Sequence, residues 1–147
     1  MSYTIYLSGE IHSDWREKIS LGIAENRLDI DVLAPITDHD SSDNVGPEIL
    51  GEETNNFWKD HKSAKINALR TNSYISRSDI VIIKFGDKYR QWNAAFDAGI
   101  ATGLGIPIIT LHSPELTHPL KEIDAAALAV TESPQQVIDI LKYISRP

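Results

Sequence analysis

The segment from Asp79 to Leu111 constrains the fold of this chain more than any other part of its sequence. Its pattern predicts an apolar strand over Ile80–Phe85, a break at Gly86, a helix that opens near Gln91 and a second apolar strand over Ile106–Leu111. Two strands joined through a helix are typical of a parallel sheet. Because parallel sheets bind ligands beyond the carboxyl ends of their strands, the loop from Gly86 to Arg90 and the helix turns after it are expected to border a site.

The remaining chain continues this alternation of strands and helices. Further strands are predicted over Tyr3–Leu7, Ile30–Leu33 and, as a short piece, Ala127–Val130. Helices are predicted from Trp15 to near Asn26, from about Lys62 to Ser76 and from Pro134 to Tyr143, the first behind a capping-box pattern of Asp14 and Glu17. The order predicts an α/β fold, a flavodoxin-like or Rossmann-like doubly wound sheet of about five mostly parallel strands in three αβα layers. Residues 1–147 are expected to form a single domain, since this length supports one sizeable core.

Composition narrows the classes of function. The 14 Lys and Arg residues stand against 21 Asp and Glu, a net charge of −7, so no basic field would attract nucleic acid. The chain has no cysteine, which excludes disulfides, thiolate catalysis and cysteine-bound zinc. No apolar run could cross a bilayer, and the first residues lead straight into a strand, so we expect a cytoplasmic protein without a membrane partner.

Cofactor patterns are also missing. The dinucleotide pattern GxGxxG and the phosphate loop GxxxxGK[ST] do not occur, which counts against nicotinamide or ATP chemistry. The five histidines lack metal-ligand spacing. We therefore expect neither a cofactor nor a metal.

Two segments show no periodicity. Ile36–Asp60 is rich in Gly, Pro, Asn, Asp and Ser and is predicted to be a long loop, which in compact domains is usually functional or disordered. Pro114–Pro119 is expected to be irregular.

Within the segment Ile36–Asp60, HDSSDN at His39–Asn44 fails the calcium-loop pattern, because the glycine and glutamate positions hold other residues. Loose Mg²⁺ binding, a solvated turn, and ligand recognition by Asp43 or Asn44 remain open.

The turn after the first strand is expected to form one wall of the crevice. Glycine at position 9 would let the backbone approach a ligand, and Tyr6 would stack on a base. Glu10 would bind a ribose hydroxyl or act as acid or base, with His12 beside it. The alternative is a tight turn in which Gly9 supplies only a positive φ.

The helix after Gln91 carries the main candidate for chemistry. Trp92, Phe96, Gly99 and Gly103 are expected to pack on the sheet, while Asn93 and Asp97 share an adjacent face and Trp92 borders the pocket. The macrodipole and free N–H groups of the helix start would keep Asp97 ionised as a nucleophile. In the alternative, Asp97 is a helix-start residue without chemistry. On the preceding helix, Lys59, Lys62, Lys65 and Arg70 form a charged face that is solvated unless Arg70 meets a phosphate.

Three motifs together resemble one family. They are YLSGEI at Tyr6–Ile11, HDSSDN at His39–Asn44 and FGDKYRQWNAAFDAGIA at Phe85–Ala101. They are similar to the YtoQ-type family, a branch of the nucleoside 2-deoxyribosyltransferase-like superfamily. The resemblance implies a flavodoxin-like fold in which the turn after the first strand receives a nucleoside and a glutamate on the helix after the third strand attacks the sugar. Asp97 falls at the position of that glutamate.

The chain departs from the superfamily pattern at three positions. Asp97 is shorter than glutamate by one methylene, about 1.5 Å of reach. The acidic residue six positions earlier is Gln91 here, and a third acidic position corresponds to Thr71 or Asn72. Two of the three carboxylates that hold substrate in the superfamily are therefore absent.

Two hypotheses of function follow. In the first, a nucleoside or nucleotide N-glycosyl transferase or hydrolase uses Asp97 as nucleophile and Glu10 to protonate the base. Its other ligand contacts are Tyr6, Ser8, Gly9, His12, Asp43, Asn44, Gly86, Gln91, Trp92 and Asn93. In the second, a binding or sensing module keeps the cleft without turnover. The resemblance also implies a homo-oligomer, with a contact expected over Leu111–Leu120.

Overall fold

Five parallel strands form the centre of the molecule in the computed structural model, which describes residues 2–147. They are β1 (Tyr3–Gly9), β2 (Ile30–Leu33), β3 (Ile80–Lys84), β4 (Ile108–Leu111) and β5 (Ala129–Thr131). Their order across the sheet is β2-β1-β3-β4-β5. This is the flavodoxin-like order, whose connections reverse direction between β1 and β3. The predicted doubly wound α/β sheet is confirmed.

Alternate side chains of each strand enter two separate cores. Ile5, Leu7 and Ile82 pack with α1 (Trp15–Glu25) and α6 (Pro134–Ile144) on one face. The opposite face packs against three helices, which are α3 (Asn56–Ser76), α4 (Trp92–Gly103) and α5 (Lys121–Ala126). Both faces of a parallel sheet are buried, which explains why its central strands are apolar at nearly every position.

The prediction of a long loop over Ile36–Asp60 is wrong. A helix, α2, occupies His39–Leu50, and α3 begins at Asn56 instead of near Lys62. The Asp38 side chain caps α2 by accepting a hydrogen bond from the Ser41 amide at 2.9 Å. Turn-forming residues therefore mark the start of a helix here, because such side chains also satisfy free N–H groups at helix N-termini.

Packing on α3 fixes α2. The Ser63 hydroxyl accepts from the Gly46 amide at 3.0 Å and donates to the Asp43 carbonyl at 2.6 Å. Gly46 has no room for a side chain, since a Cβ would collide with the Lys62–Ser63 backbone. This close contact between helices depends on tertiary structure, which a search for periodicity does not detect.

Three smaller expectations also fail. Asp14 makes no capping hydrogen bond and instead pairs with Lys18 at 3.1 Å, so no capping box forms. The buried face of α4 consists of Ala94, Asp97, Ala98 and Ala101, whereas Trp92 and Phe96 are exposed. Small residues let α4 lie close to the sheet, and the aromatic side chains face outward. Part of the stretch predicted to be irregular forms a 3₁₀ turn over Pro114–Leu116, and α5 follows it.

No helix among residues 2–147 is long and apolar enough to span a membrane.

Candidate active site

A crevice of about 750 Å³ lies beside the carboxyl end of β1. Its floor comes from β1 and α4, and its other walls come from α2, α3 and the segment that follows β2. The crevice adjoins the point where the strand connections reverse, which is where ligands of this class of sheet bind. Of the residues predicted for the site, the crevice is bordered by Tyr6, Gly9, Asp43, Asn93 and Asp97.

The carboxyl group of Asp97 is held at one oxygen and free at the other. Ser8, at the end of β1, donates its hydroxyl to Asp97 Oδ2 at 2.6 Å. Oδ1 accepts no hydrogen bond within the described chain and is not sealed from solvent. The side chain as a whole is only 9% exposed. One oxygen is thus anchored while the other is available to a ligand.

The pKa of Asp97 is shifted in the opposite direction from the one that the helix macrodipole predicts. Burial raises its pKa to about 6, and the Ser8 hydrogen bond opposes this rise. Asp97 is the sixth residue of α4, and the influence of a helix terminus fades within its first turn. Desolvation therefore outweighs the macrodipole. The carboxylate is still mostly ionised at neutral pH, and it is more basic than an ordinary aspartate.

Tyr6 borders the crevice but is fully buried. Its ring lies edge-on to Tyr74 with centroids 6.4 Å apart, inside the core between the sheet and α3. A ring enclosed in this way does not offer a face to a base, so the expected stacking is not seen. The hydroxyl is buried and makes no hydrogen bond of normal geometry within residues 2–147, although the nearby Thr71 side chain acts to lower the pKa of Tyr6. Burial raises the pKa of Tyr6 to about 12, and the nearby charge of Asp97 adds to the rise.

The turn from Gly9 to Ser13 is fixed by hydrogen bonds. Gly9 has a φ of +109°, and a Cβ there would collide with the Lys84 carbonyl of β3. The Arg16 guanidinium, itself buried, donates to the carbonyls of Leu7, Gly9 and Glu10 at 3.0, 3.1 and 2.6 Å. Glycine is required here to bring two strands together, which accords with the tight-turn alternative.

Glu10 lies outside the crevice. Its carboxylate accepts hydrogen bonds from the His12 amide and the Ser13 hydroxyl. It borders a smaller cavity of about 290 Å³ together with His12, Gly86 and Gln91. The structure therefore separates Glu10 from Asp97, and the catalytic role of Glu10 stays a prediction.

The loop before α4 forms another surface. The Gln91 side chain accepts from the Gly86 amide at 2.9 Å, which closes the loop on itself. Gly86, Gln91 and Trp92 border a third cavity of about 550 Å³, formed with the region from Leu116 to Ile123. Gln91 is therefore occupied in the loop and does not line the crevice.

Helix α2 divides the HDSSDN residues between two environments. Asp43 borders the crevice and lies 3.8 Å from His39 Nδ1. Asn44 instead donates to the Asp40 carbonyl of its own helix at 2.9 Å and does not line the crevice. The His12 ring stacks on His39 with centroids 5.5 Å apart, so the β1–α1 turn meets α2 above the crevice.

One wall of the crevice was predicted only in part, through Arg70 as a possible phosphate contact and through the acidic position that corresponds to Thr71 or Asn72. It is the face of α3 that carries His61, Lys65, Ala68, Thr71 and Asn72, with Arg70 at its edge. His61 lay just before the predicted helix, whereas Lys65 lay on the predicted helix and was assigned to a face that is solvated. Across residues 2–147 no group of His, Asp or Glu side chains has the geometry of a metal site.

Comparisons with known proteins bear on the whole chain. A family model described as "Nucleoside 2-deoxyribosyltransferase YtoQ" matches residues 6–145. The YtoQ protein of Bacillus subtilis (strain 168) is 42% identical over 144 residues, covering 98% of this chain and 97% of that protein.

Solved structures share the fold at low sequence identity. A 2-deoxyribosyltransferase from Bacillus psychrosaccharolyticus has a TM-score of 0.56 and 17% identity, covering 92% of this chain and 90% of its own. The CMP N-glycosidase BcmB of Clostridium botulinum has a TM-score of 0.53 and 12% identity, and the match covers 95% of this chain and 98% of that protein. At these identities the likeness concerns the fold alone.

Proposed function

The chain belongs to the nucleoside 2-deoxyribosyltransferase YtoQ family, and we propose that it is an enzyme that cleaves or transfers the N-glycosidic bond of a nucleoside or nucleotide. One observation carries the proposal. A buried carboxylate, Asp97, lies in a crevice at the carboxyl end of β1 with one oxygen anchored by Ser8 and the other unoccupied.

The proposed reaction has two steps. Asp97 Oδ1 attacks the anomeric carbon, a C–O bond forms as the C–N bond breaks, and the base departs with a proton. Water or a second base then displaces the carboxylate and restores it, with overall retention. The raised pKa favours this role, because a more basic carboxylate is the better nucleophile while it stays ionised.

Other residues of the crevice take supporting roles in the proposal. The Tyr6 hydroxyl, buried and without a hydrogen-bond partner, donates to the sugar or to the Asp97 carboxylate during the reaction. Asn93, one helical turn before Asp97, contacts a sugar hydroxyl. The His39–Asp43 pair is the titratable pair on the α2 wall, and we assign it the protonation of the leaving base in place of Glu10.

The test is direct. Purified protein is incubated with common purine and pyrimidine nucleosides and their 5′-monophosphates, and free base is measured by chromatography. Asp97→Asn should abolish base release, whereas Asp60→Asn, which changes an exposed carboxylate of α3 outside the crevice, should not. If the unaltered protein releases and exchanges no base with any of these compounds, the enzymatic proposal is wrong.

A non-catalytic nucleotide-binding or sensing module is the second candidate. It is favoured by the polar residues that stand where the superfamily has carboxylates. Thr71 and Asn72 border the crevice, and Gln91 is bonded to Gly86 away from it. A binding module would gain thermal stability from a nucleotide and leave it chemically intact.

We also retain the proposal of a homo-oligomer, and we extend the expected contact to the neighbouring surface of α4, where Trp92 borders a cavity with Leu116 and Leu120. Pro114 and Glu115 in the middle of the expected contact are exposed, and Trp92 and Phe96 of α4 are 71% and 72% exposed. Phe96 borders the crevice. A second copy lying on these two rings would keep water from Asp97, which transfer requires if it is to exceed hydrolysis.

A further inference from the structure

Two cations border the crevice without a carboxylate partner. Lys65 and Arg70 both lie on α3, and neither forms an ion pair with any Asp or Glu of residues 2–147. The neighbouring Lys62, by contrast, is paired with Glu53 at 2.6 Å. In a chain with a net charge of −7, a crevice that keeps two cations unpaired is suited to an anionic ligand.

The two carboxylates of the crevice are already engaged. Asp97 accepts from Ser8, and Asp43 lies beside His39. Neither carboxylate neutralises Lys65 or Arg70. The positive charge of the α3 wall is therefore available to whatever binds.

Arg70 is held with donors to spare. Its guanidinium lies over the Tyr74 ring, 4.6 Å from the centroid, and one nitrogen points to the Ala34 carbonyl at 3.4 Å. A guanidinium has five N–H donors in a planar fork that matches phosphate oxygens. Most of these donors remain free.

The position of Arg70 relative to Asp97 sets where an anion would sit. Arg70, Asp97 and Tyr6 all border the same crevice. A sugar whose anomeric carbon faces Asp97 would extend its 5′ substituent along this wall. Lys65 lies five residues earlier on the same helix, about 8 Å along its axis, and borders the same crevice.

We propose that the ligand of this crevice is a nucleoside 5′-monophosphate, whose phosphate is bound by Arg70 with the assistance of Lys65. The reacting part of this inference rests on the proposed function, since Asp97 fixes the orientation of the sugar. The binding part does not depend on turnover and is measured separately.

The chain contains a matched control for Arg70. Arg77 directly follows α3 as its C-cap residue and also lies over the Tyr74 ring, 5.0 Å from the centroid, but it does not border the crevice. Arg70→Gln and Arg77→Gln each remove one cation and one contact with the same ring. Only the first should alter recognition of a phosphate.

Binding is measured by calorimetry on the Asp97→Asn background, with purine and pyrimidine nucleosides and their 5′-monophosphates. A monophosphate should bind more tightly than its nucleoside. Arg70→Gln should lower the affinity for the monophosphate by about tenfold or more, which is the usual effect of losing a charge-assisted hydrogen bond. Nucleoside binding should change little. Higher salt should selectively weaken binding of the monophosphate, because the two cations are exposed to solvent. Inorganic phosphate should compete with the monophosphate in Asp97→Asn but not when Arg70→Gln is added to it.

The outcomes separate this inference from the proposed function. Selective monophosphate binding that requires Arg70, without any base release, supports the inference while the enzymatic proposal fails. Base release from nucleosides and monophosphates with equal kcat/KM overturns the inference and leaves the enzymatic proposal standing. Equal losses of monophosphate affinity in Arg70→Gln and Arg77→Gln also overturn the inference. So does a failure to bind either the nucleosides or their monophosphates.

Discussion

Ser8 and Asp97 are joined by a 2.6 Å hydrogen bond that crosses from the end of β1 to the second turn of α4. This bond and burial act on Asp97 in opposite directions, since burial raises its pKa and the Ser8 hydroxyl lowers it. Removing the hydroxyl should therefore raise the pKa further. In Ser8→Ala we expect the acidic limb of the pH–activity profile to move to higher pH, so that activity falls less at alkaline pH than at acidic pH. A profile that keeps its shape and falls uniformly would contradict this prediction.

Asp97 should also make stability depend on pH. Its folded-state pKa of about 6 lies above the unfolded value, so the native state binds the proton more tightly. The resulting stabilisation is fully present below the unfolded pKa and is lost as pH rises through about 6. Between about pH 7.5 and about pH 5 the unaltered protein should gain about 1 kcal/mol relative to Asp97→Asn. Urea unfolding at both pH values measures the difference, and parallel curves for the two proteins would contradict it.

The contact between Gly9 and Lys84 should not tolerate a side chain. Gly9 has a φ of +109°, and a Cβ would meet the Lys84 carbonyl of the neighbouring strand. Gly9→Ala is expected to lower the free energy of unfolding by more than about 2 kcal/mol. Gly99→Ala is the control, because a Cβ on that helical residue meets nothing and should stabilise α4 by about 0.5–1 kcal/mol. Similar effects of both substitutions on unfolding would show that the strand contact is unimportant.

The doubly wound sheet and its layers were predicted from the sequence, because each strand is a short apolar run followed by a break and is separated from the next by helical spacing. The strand order was left open between the flavodoxin-like and Rossmann-like arrangements, and the structure shows the former. The start of α2 was not predicted, because Asp38, Ser41 and Asn44 are equally suited to a turn and to a helix N-terminus. What decides between them is the packing of Gly46 on Ser63.

The candidate site was predicted in part for a similar reason. Asp97, Tyr6 and Asp43 could be assigned to one crevice because they follow or adjoin strand ends on the same edge of the sheet. Glu10 and Gln91 also adjoin that edge, but their side chains bond to backbone amides in their own loops. A sequence does not reveal whether a polar side chain in a loop will satisfy a neighbouring amide or face the ligand.

The role of Glu10 can be assigned by comparing how its substitution changes the free energy of unfolding and the catalytic rate. Its carboxylate accepts from the His12 amide and the Ser13 hydroxyl, so Glu10→Ala should destabilise the β1–α1 turn by about 1–2 kcal/mol. We expect kcat and the pH profile to change little, because the carboxylate faces a different cavity from Asp97. Loss of one limb of the pH profile with unchanged unfolding would instead support Glu10 as the acid that protonates the base.

The exposed rings of α4 test the homo-oligomer. Trp92 and Phe96 lie one helical turn apart and are 71% and 72% exposed. Contact with a second copy would remove this apolar surface from water. Leu128, just before the edge strand β5, is 79% exposed and serves as the control. We expect light scattering to give a mass above that of one chain for the unaltered protein and for Leu128→Ser, and a smaller mass for Trp92→Ser. If the surface also covers the crevice, Trp92→Ser should shift the products from transfer toward hydrolysis, because water would reach Asp97. A monomer at every concentration tested would show the prediction of an oligomer to be wrong.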